Sequence, residues 1–270
     1  MKIVTYNING LKSAYKNGVL DTLFEKFNDV DIFCFQEVKA QLKDITTILA
    51  NYPDFLYVSN ENSIKKGYAG VIILIRKSDT ISFNDWSNND LELDTASQEM
   101  IKYWGGRSAM IGFDDFCLYN IYTPNSRNKE ELRELFDKTL IKKLRNVKKP
   151  LIIVGDLNVC PTKYDYWGKY ERVINTMPGL MQFEIDGYNQ ICEELHLSNV
   201  YRQLYPEGRD YTFYPNSKGT KNLQSDKGWV FDHCLISSDI NIKSYRVYSG
   251  MFGEDHSPIM IEIYDKFLQK

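Results

Sequence analysis

The chain has 270 residues, 43% of them apolar and 26% charged, a balance that suits a globular protein with a substantial core and excludes a fibrous or low-complexity one. Its formal net charge of −3 excludes a protein that grips polyanions by bulk charge, so any such partner must meet a local basic face. Cys34, Cys117, Cys160, Cys192 and Cys234 are odd in number and form no C-x-x-C pair; they read as reduced thiols, mostly buried.

The opening MKIVTYNING reaches polar residues within seven positions. It is neither a signal peptide nor a membrane span, so the expectation is a cytoplasmic protein with no membrane partner. Short apolar runs then recur along the chain: Ile3–Ile8, Ile32–Phe35, Val71–Ile75, Phe116–Tyr122, Leu151–Val154, Val230–Ile236 and Ile259–Tyr264. They are rich in Ile, Val, Tyr and Phe and too short for helices, which predicts strands. Val19–Phe27 sets Val19, Leu20, Leu23, Phe24 and Phe27 on one helical face. Glu131–Leu144 repeats the pattern with Leu132, Leu135, Phe136, Leu140, Ile141 and Leu144, opposite a charged face.

Asn84–Asp90 and Asn216–Gly228 read as surface loops. No Pro/Gly/Ser-rich linker divides the chain, so a single domain over residues 1–270 is expected. Near-continuous apolar strands imply sheets covered on both faces. The fold class is therefore α/β, with layered sheets and helices outside.

What stands at the strand ends carries the chemistry. Ile3–Tyr6 leads into Asn7 and Asn9, Ile32–Phe35 into Gln36 and Glu37, and Leu151–Val154 into Gly155, Asp156, Leu157 and Asn158. Trp229–Phe231 carries Asp232, and Asp255 and His256 precede the last apolar run. A strand end holds a charge on a rigid backbone. One polar residue there is ordinary; five such placements built from Asn, Asp, Glu and His are not. Oxygen-rich donors suit Mg2+ or Mn2+, whereas zinc calls for more His or Cys. A hard cation beside an Asp and a His points to hydrolysis of a phosphate ester.

In order along the chain, TYNINGLK, FQEVK, GYAGVI, NIYTPNS, GDLNVCP, GWVFDHCLIS and GEDHSPI resemble the signature blocks of the exonuclease III/abasic-site endonuclease family. That family lies within the endonuclease–exonuclease–phosphatase superfamily. The blocks span residues 5 to 259; GDLN alone would be weak, but the ordered set is specific. The resemblance implies a deoxyribonuclease I-like, four-layered α/β sandwich of two packed mixed β-sheets flanked by helices. It implies a Mg2+-dependent nuclease, with Mn2+ as substitute, that cuts 5′ to abasic sites in double-stranded DNA and processes blocked 3′ ends; with no dimerisation signature in the sequence, a monomer is expected.

By the same resemblance, Glu37 is the principal metal ligand, with Asn7 beside it and Asp255 acting directly or through water. Asp156 orients and deprotonates the attacking water, and Asn158 holds that water or the transition state. His256, paired with Asp232, bonds the scissile phosphate. A second metal position would use Asp156, Asn158 and His256. Tyr122 donates to the phosphate or assists the leaving group, and Asn125 steadies the same cluster. For DNA, Lys39 is available to a phosphate, and Gly67, Tyr68 and Gly70 line a close backbone approach. Phe213, Trp229 and Phe231 resemble an apolar pocket for a flipped, base-less sugar. Lys12, Lys16, Lys218, Lys221 and Lys227 would line the groove if their loops share that face.

The chain departs from the family pattern in three places. Val230 and His233 stand where the family has Arg and Tyr around Asp232, Gly105 stands where an acid usually precedes Gly-Arg107, and residues 84–104 match poorly. Other readings are a 3′-phosphatase or exonuclease with little abasic cleavage, a phosphoesterase acting on lipid head groups, and a non-catalytic DNA-binding protein.

Overall fold

Side chains alternate across a strand, so each apolar run presents two faces that must both be covered. In the computed structural model, which describes residues 1–78, 97–127, 129–215, 226–252 and 255–264 and the backbone of 83–87, the strands form two six-stranded sheets. One sheet contains β1 (Lys2–Asn7), β2 (Ile32–Gln36), β3 (Phe55–Asn60), β4 (Val71–Arg76), β11 (Ile242–Val247) and β12 (Ile259–Ile263), in the order β11-β12-β1-β2-β4-β3. The other contains β5 (Phe83–Ser87), β6 (Ser108–Phe113), β7 (Cys117–Tyr122), β8 (Leu151–Asp156), β9 (Leu197–Asn199) and β10 (Asp232–Ser237), in the order β5-β6-β7-β8-β10-β9.

The sheets pack face to face over one apolar layer. Ile3, Ile32, Cys34 and Ile73 from the first sheet meet Leu118, Ile152, Val154 and Cys234 from the second. The alternate residues point outward. Val4, Phe33, Phe35 and Leu74 pack under α1 (Leu11–Lys16), α2 (Val19–Lys26) and α3 (Leu42–Leu49). Tyr119, Ile121, Ile153 and Leu235 pack under α4 (Gln98–Trp104), α5 (Glu130–Leu144) and α7 (Gln182–Glu194). The short helices α6 (Tyr170–Val173) and α8 (Val200–Leu204) complete the set. The result is the four-layered sandwich that the sequence resemblance implies.

Period-two alternation also positions the polar residues. Asn7 shares the inner face with Ile3, Tyr122 with Leu118, Asp156 with Ile152, and Asp232 with Cys234. Parallel β1 and β2 set Asn7 beside Gln36, and parallel β7 and β8 set Tyr122 beside Asp156. Antiparallel β10 sets Asp232 on the other side of Asp156. The inter-sheet layer thus turns from apolar to polar at one rim. Beneath that rim, Gln36 donates to Thr5 Oγ1 at 2.9 Å and Asn120 Oδ1 at 2.6 Å, while Asn120 donates to the Phe35 and Ile72 carbonyls at 3.0 and 2.9 Å. These buried amides tie the two sheets together. Gly155 lets β8 pass close to β7: a Cβ there would lie 2.0 Å from the Ile121 carbonyl oxygen.

Two expectations change. Asn84–Ser87, read as loop, belongs to β5, an edge strand paired only with β6. Such a strand needs no continuous apolar run, because among the described residues one side of its ladder is unpaired. Residues 88–90 and 216–225 lie outside the described residues. On α5, Leu135 is exposed, whereas Arg133 and Asp137 from the charged face are buried.

Candidate active site

At the polar rim, Asn7 is the junction. Its amide nitrogen donates to Asp156 Oδ2 at 2.9 Å and Glu37 Oε1 at 3.2 Å, and lies 3.4 Å from His256 Nε2. Its amide oxygen accepts from Asn9 N at 3.1 Å. Two carboxylates on one side and an N–H on the other fix that amide orientation. Tyr122 donates its hydroxyl to Glu37 Oε1 at 2.7 Å.

Asp156 is held from behind as well, accepting from Asn158 N at 2.9 Å, while Asn158 Nδ2 donates to the Thr123 carbonyl at 2.8 Å. His256 Nδ1 bonds Asp232 Oδ2 at 2.8 Å, leaving Nε2 facing Asp156 at 3.8 Å. The backbone N–H groups of Phe231 and Asp232 both donate to Thr212 Oγ1 at 3.1 Å. Asp232 Oδ1 is buried with no hydrogen-bond partner among the described residues. Asp156, Asp232 and His256 can bring one donor atom each within 4.8 Å of one another.

The outer edge is cationic. Lys39 Nζ sits 2.5 Å from Glu37 Oε2 and 2.6 Å from Asn9 Oδ1, and Asn9 Nδ2 lies 3.3 Å from Asp255 Oδ1. Asn9, Glu37, Lys39 and Asn158 all have φ near +50° (48°, 51°, 51° and 50°). Left-handed backbone at four non-glycine residues costs energy, and here it turns each side chain back over the rim.

Charge follows from this packing. Burial raises the Asp156 carboxyl, and Asp232 and Glu37 raise it further against the opposing charge of His256. Burial would lower His256, but Asp232, Asp156 and Asp255 outweigh it and hold the imidazole protonated well above its ordinary range. Burial also opposes ionisation of Glu37, yet Lys39, His256 and the Tyr122 hydroxyl leave its carboxyl below the usual value. Tyr122 is raised by burial and by Glu37, so it remains a hydrogen-bond donor. The site therefore pairs a poised carboxyl with a fixed cation.

Beside His256 lies an apolar wall. The Phe213 ring is 4.8 Å from the His256 ring and stacks on Phe231 at 5.1 Å, and Trp229 follows at 5.1 Å. Trp229 and Phe231 are buried among Cys160, Tyr166 and Leu180, and Phe213 is partly open. Gly67 and Gly70 have φ of 70° and 95°, and the Ala69 carbonyl accepts the Lys39 N–H at 2.7 Å. The Tyr68 hydroxyl accepts from Arg107 at 2.9 Å. Arg107 is buried, its guanidinium 4.5 Å from the Tyr122 ring, so it supports the tyrosines and does not face a ligand.

Asn125 stands apart from the cluster. It is exposed, and its side chain accepts from Arg127 N at 3.1 Å within its own loop. Lys12 pairs with Asp44 at 2.5 Å, and Lys218 and Lys221 lie outside the described residues. The sequence reading assigned no role to Thr212, Gln36 or Asn120, although a polar residue between two aromatics in YTF and a Gln before Glu37 were visible signals.

The departures around Asp232 are accommodated. Val230 packs with Tyr211 and Tyr214, and its N–H donates to the Asp165 carbonyl at 2.8 Å. Nearby, Arg202 Nε donates to Asp165 Oδ1 at 3.1 Å. His233 Nε2 donates to the Val159 carbonyl at 2.9 Å, and its Nδ1 takes Asn199 Nδ2 at 3.1 Å. That is a neutral imidazole, and burial lowers its pKa. Its contribution to stability is complete above the unfolded value of about 6.5 and is lost as pH falls through the depressed folded value, since the unfolded chain takes the proton first. Unfolding free energies from denaturant titrations between pH 8 and 5 should fall less for His233→Gln than for the unaltered chain, the difference opening below about 6.5. Equal acid losses would reject this role.

Comparison with known proteins adds an independent line. Residues 4–250 match the model of the Endonuclease/Exonuclease/phosphatase family. The chain is 28% identical over 275 residues to the DNA repair nuclease APEX1 of Danio rerio, covering 97% of this chain and 81% of the relative. It is 25% identical over 273 residues to an exodeoxyribonuclease of Bacillus subtilis, covering 97% and 99%. Among solved structures it resembles the AP endonuclease of Leishmania major, with a TM-score of 0.83 at 20% identity over 98% of this chain and 87% of that one. With sheets, rim residues and family match in agreement, the chain belongs to the Endonuclease/Exonuclease/phosphatase family.

Proposed function

We propose that this chain is a DNA repair nuclease that hydrolyses phosphodiester bonds 5′ to abasic sites in double-stranded DNA and processes blocked 3′ ends. The observation that carries this reading is the junction of Asn7, Glu37, Asp156, Asp232 and His256 beside the Phe213–Phe231 stack. A phosphate and an uncharged sugar are the two things such a site can take together. Similarity to a repair nuclease and an exodeoxyribonuclease supports DNA as the polymer.

The donor set fits a hard cation. Lys39 already sets a positive charge between Glu37 and Asn9, and the remaining donors are carboxylate and amide oxygens. Glu37 and Asp255 would hold Mg2+ or its substitute Mn2+, which Asn7 would join once its amide turned its oxygen towards Glu37; Asp156 and Asn158 would serve a second position, which His256 would join only as a neutral imidazole. The cation supplies Lewis-acid stabilisation of the phosphoryl oxygens and acidifies water. Asp156, pushed up by burial, takes a proton from the attacking water near neutral pH. Protonated His256, oriented by Asp232, hydrogen-bonds the phosphate anion. The Tyr122 hydroxyl, which donates to Glu37 here, would turn its proton to the phosphate or the leaving group. Phe213, partly open and backed by the buried Trp229 and Phe231, offers the bare sugar an apolar face. We further propose that residues 1–270 act as one domain, as a monomer, in a reducing compartment such as the cytoplasm. Four of the five cysteines are buried as free thiols, which supports that setting.

A labelled duplex with one tetrahydrofuran abasic analogue, incubated with Mg2+ or EDTA beside Glu37→Ala, tests the proposal. Metal-dependent incision on the 5′ side, reduced at least ~10²-fold in the variant, is expected. Removal of a 3′-phosphate without internal incision would shift the reading to an end-processing phosphatase. Inactivity on both substrates would reject DNA.

A further inference from the structure

The apolar wall continues beyond the sugar pocket. The Trp229 ring meets Tyr166 edge-on at 5.0 Å, and the Tyr166 ring lies 5.8 Å from that of Trp167. Tyr166 and Trp229 are buried, whereas Trp167 is 40% exposed. A continuous aromatic row thus runs from His256 to an open indole face. Its backbone is fixed, because Trp167 N donates to the Gly228 carbonyl at 3.1 Å.

Positive charge accompanies the row. Lys227 Nζ lies 5.2 Å from the Trp167 ring centre. Lys163 and Arg209 sit 5.0 and 5.7 Å from the ring of Tyr164. In the sequence, KYDYWGKY over residues 163–170 sets four aromatic residues between and beside two lysines, and its one acid, Asp165, is buried against Arg202. Aromatic faces with cations at their edges are how proteins hold unpaired nucleobases, since every base has a face to stack and a phosphate beside it. The hydrolytic cluster uses none of these residues.

We infer that Trp167 is a stacking platform for one unpaired nucleobase at the 3′ end of the DNA, with Lys227 on the adjoining phosphate. The inference rests on DNA being the substrate. It gives the enzyme a grip on frayed or mispaired ends that a fully paired end does not engage.

The test is fluorescence anisotropy of the full chain in EDTA with two labelled duplexes. One ends in a mispaired 3′ nucleotide; the other carries a tetrahydrofuran in its place and so has no base to stack. Trp167→Ala should weaken binding of the first duplex about 5- to 100-fold and leave the second unchanged. Trp167→Phe should stay within about threefold of the unaltered chain on both, since a ring remains to stack on. Lys227→Ala should weaken both duplexes alike and reduce the salt dependence. Equal affinities before and after Trp167→Ala, or equal losses on the two duplexes, would overturn the platform. Failure of the unaltered chain to bind either duplex would instead overturn the DNA reading beneath it.

Discussion

Asp156→Asn should cut the rate of abasic-site incision by ~10²–10⁴-fold while leaving the metal-free protein at least as stable as before. The two effects have one cause. Asp156 is 1% exposed and shares its surroundings with Asp232 and Glu37, so ionising it buries like charges together, and His256 compensates only in part. The folded-state pKa therefore lies above the unfolded value of about 3.9. The ionised form costs stability progressively as pH rises from that value through the folded one. The amide cannot ionise, so its stability advantage should be largest above neutrality and vanish towards pH 4. It can keep the acceptor for Asn158 N, but its NH2 then opposes the Asn7 amide nitrogen, which must turn over. Denaturation of both proteins at pH 8 and pH 4, with single-turnover incision assays, checks this. A variant that is inactive but markedly less stable at pH 8 would show that Asp156 is a structural carboxylate.

Much of this site was legible in the sequence because it is a product of alternation. Once Ile3–Ile8, Leu151–Val154 and Val230–Ile236 are read as strands, a polar residue of the inner face near the end of each has to lie at the rim, and Asn7, Asp156 and Asp232 follow, Asp232 as the first residue of β10. The helix at Val19–Phe27 was equally plain from its apolar stripe. Residues acting through tertiary contact were less legible. Thr212 matters because it accepts two N–H groups from a segment 19 and 20 residues away, and nothing in a linear pattern gives that pairing. Lys39 was read as a phosphate contact, yet in this structure its ammonium lies on Glu37 and Asn9. The edge strand β5 escaped because it lacks an apolar run. Asn125 shared a motif with Tyr122 but turns into its own loop, since a motif records neighbours along the chain and not the direction of a side chain.

The rim is also held from outside the sandwich, and this gives the largest expected loss of stability. Arg133, 1% exposed on α5, donates from Nη1 to the Pro124 carbonyl at 2.9 Å and from Nη2 to the Leu157 carbonyl at 3.2 Å. Pro124 follows Thr123, which holds Asn158, and Leu157 follows Asp156. One guanidinium thus anchors both loops that frame the base. Its Nε lies 3.0 Å from Asp137 Oδ2, and Glu184 Oε1 is 3.8 Å from Nη1. Glu184 in turn accepts from Gly179 N at 2.5 Å and Met181 N at 3.2 Å. Burial pushes the Asp137 carboxyl up to about 6 despite the arginine, so little margin remains. Arg133→Met keeps much of the volume but strands the buried Asp137 carboxyl and two carbonyls and removes the cation beside Glu184, which should cost about 3–5 kcal/mol. Adding Asp137→Asn should recover part of that loss by removing one stranded charge, whereas independent sites would give additive losses. Urea denaturation of the two single variants and the double variant measures the coupling. Because the loops carry Asp156 and Asn158, turnover of Arg133→Met should fall even at temperatures where it is fully folded. A folded variant with unchanged turnover would confine Arg133 to stability alone.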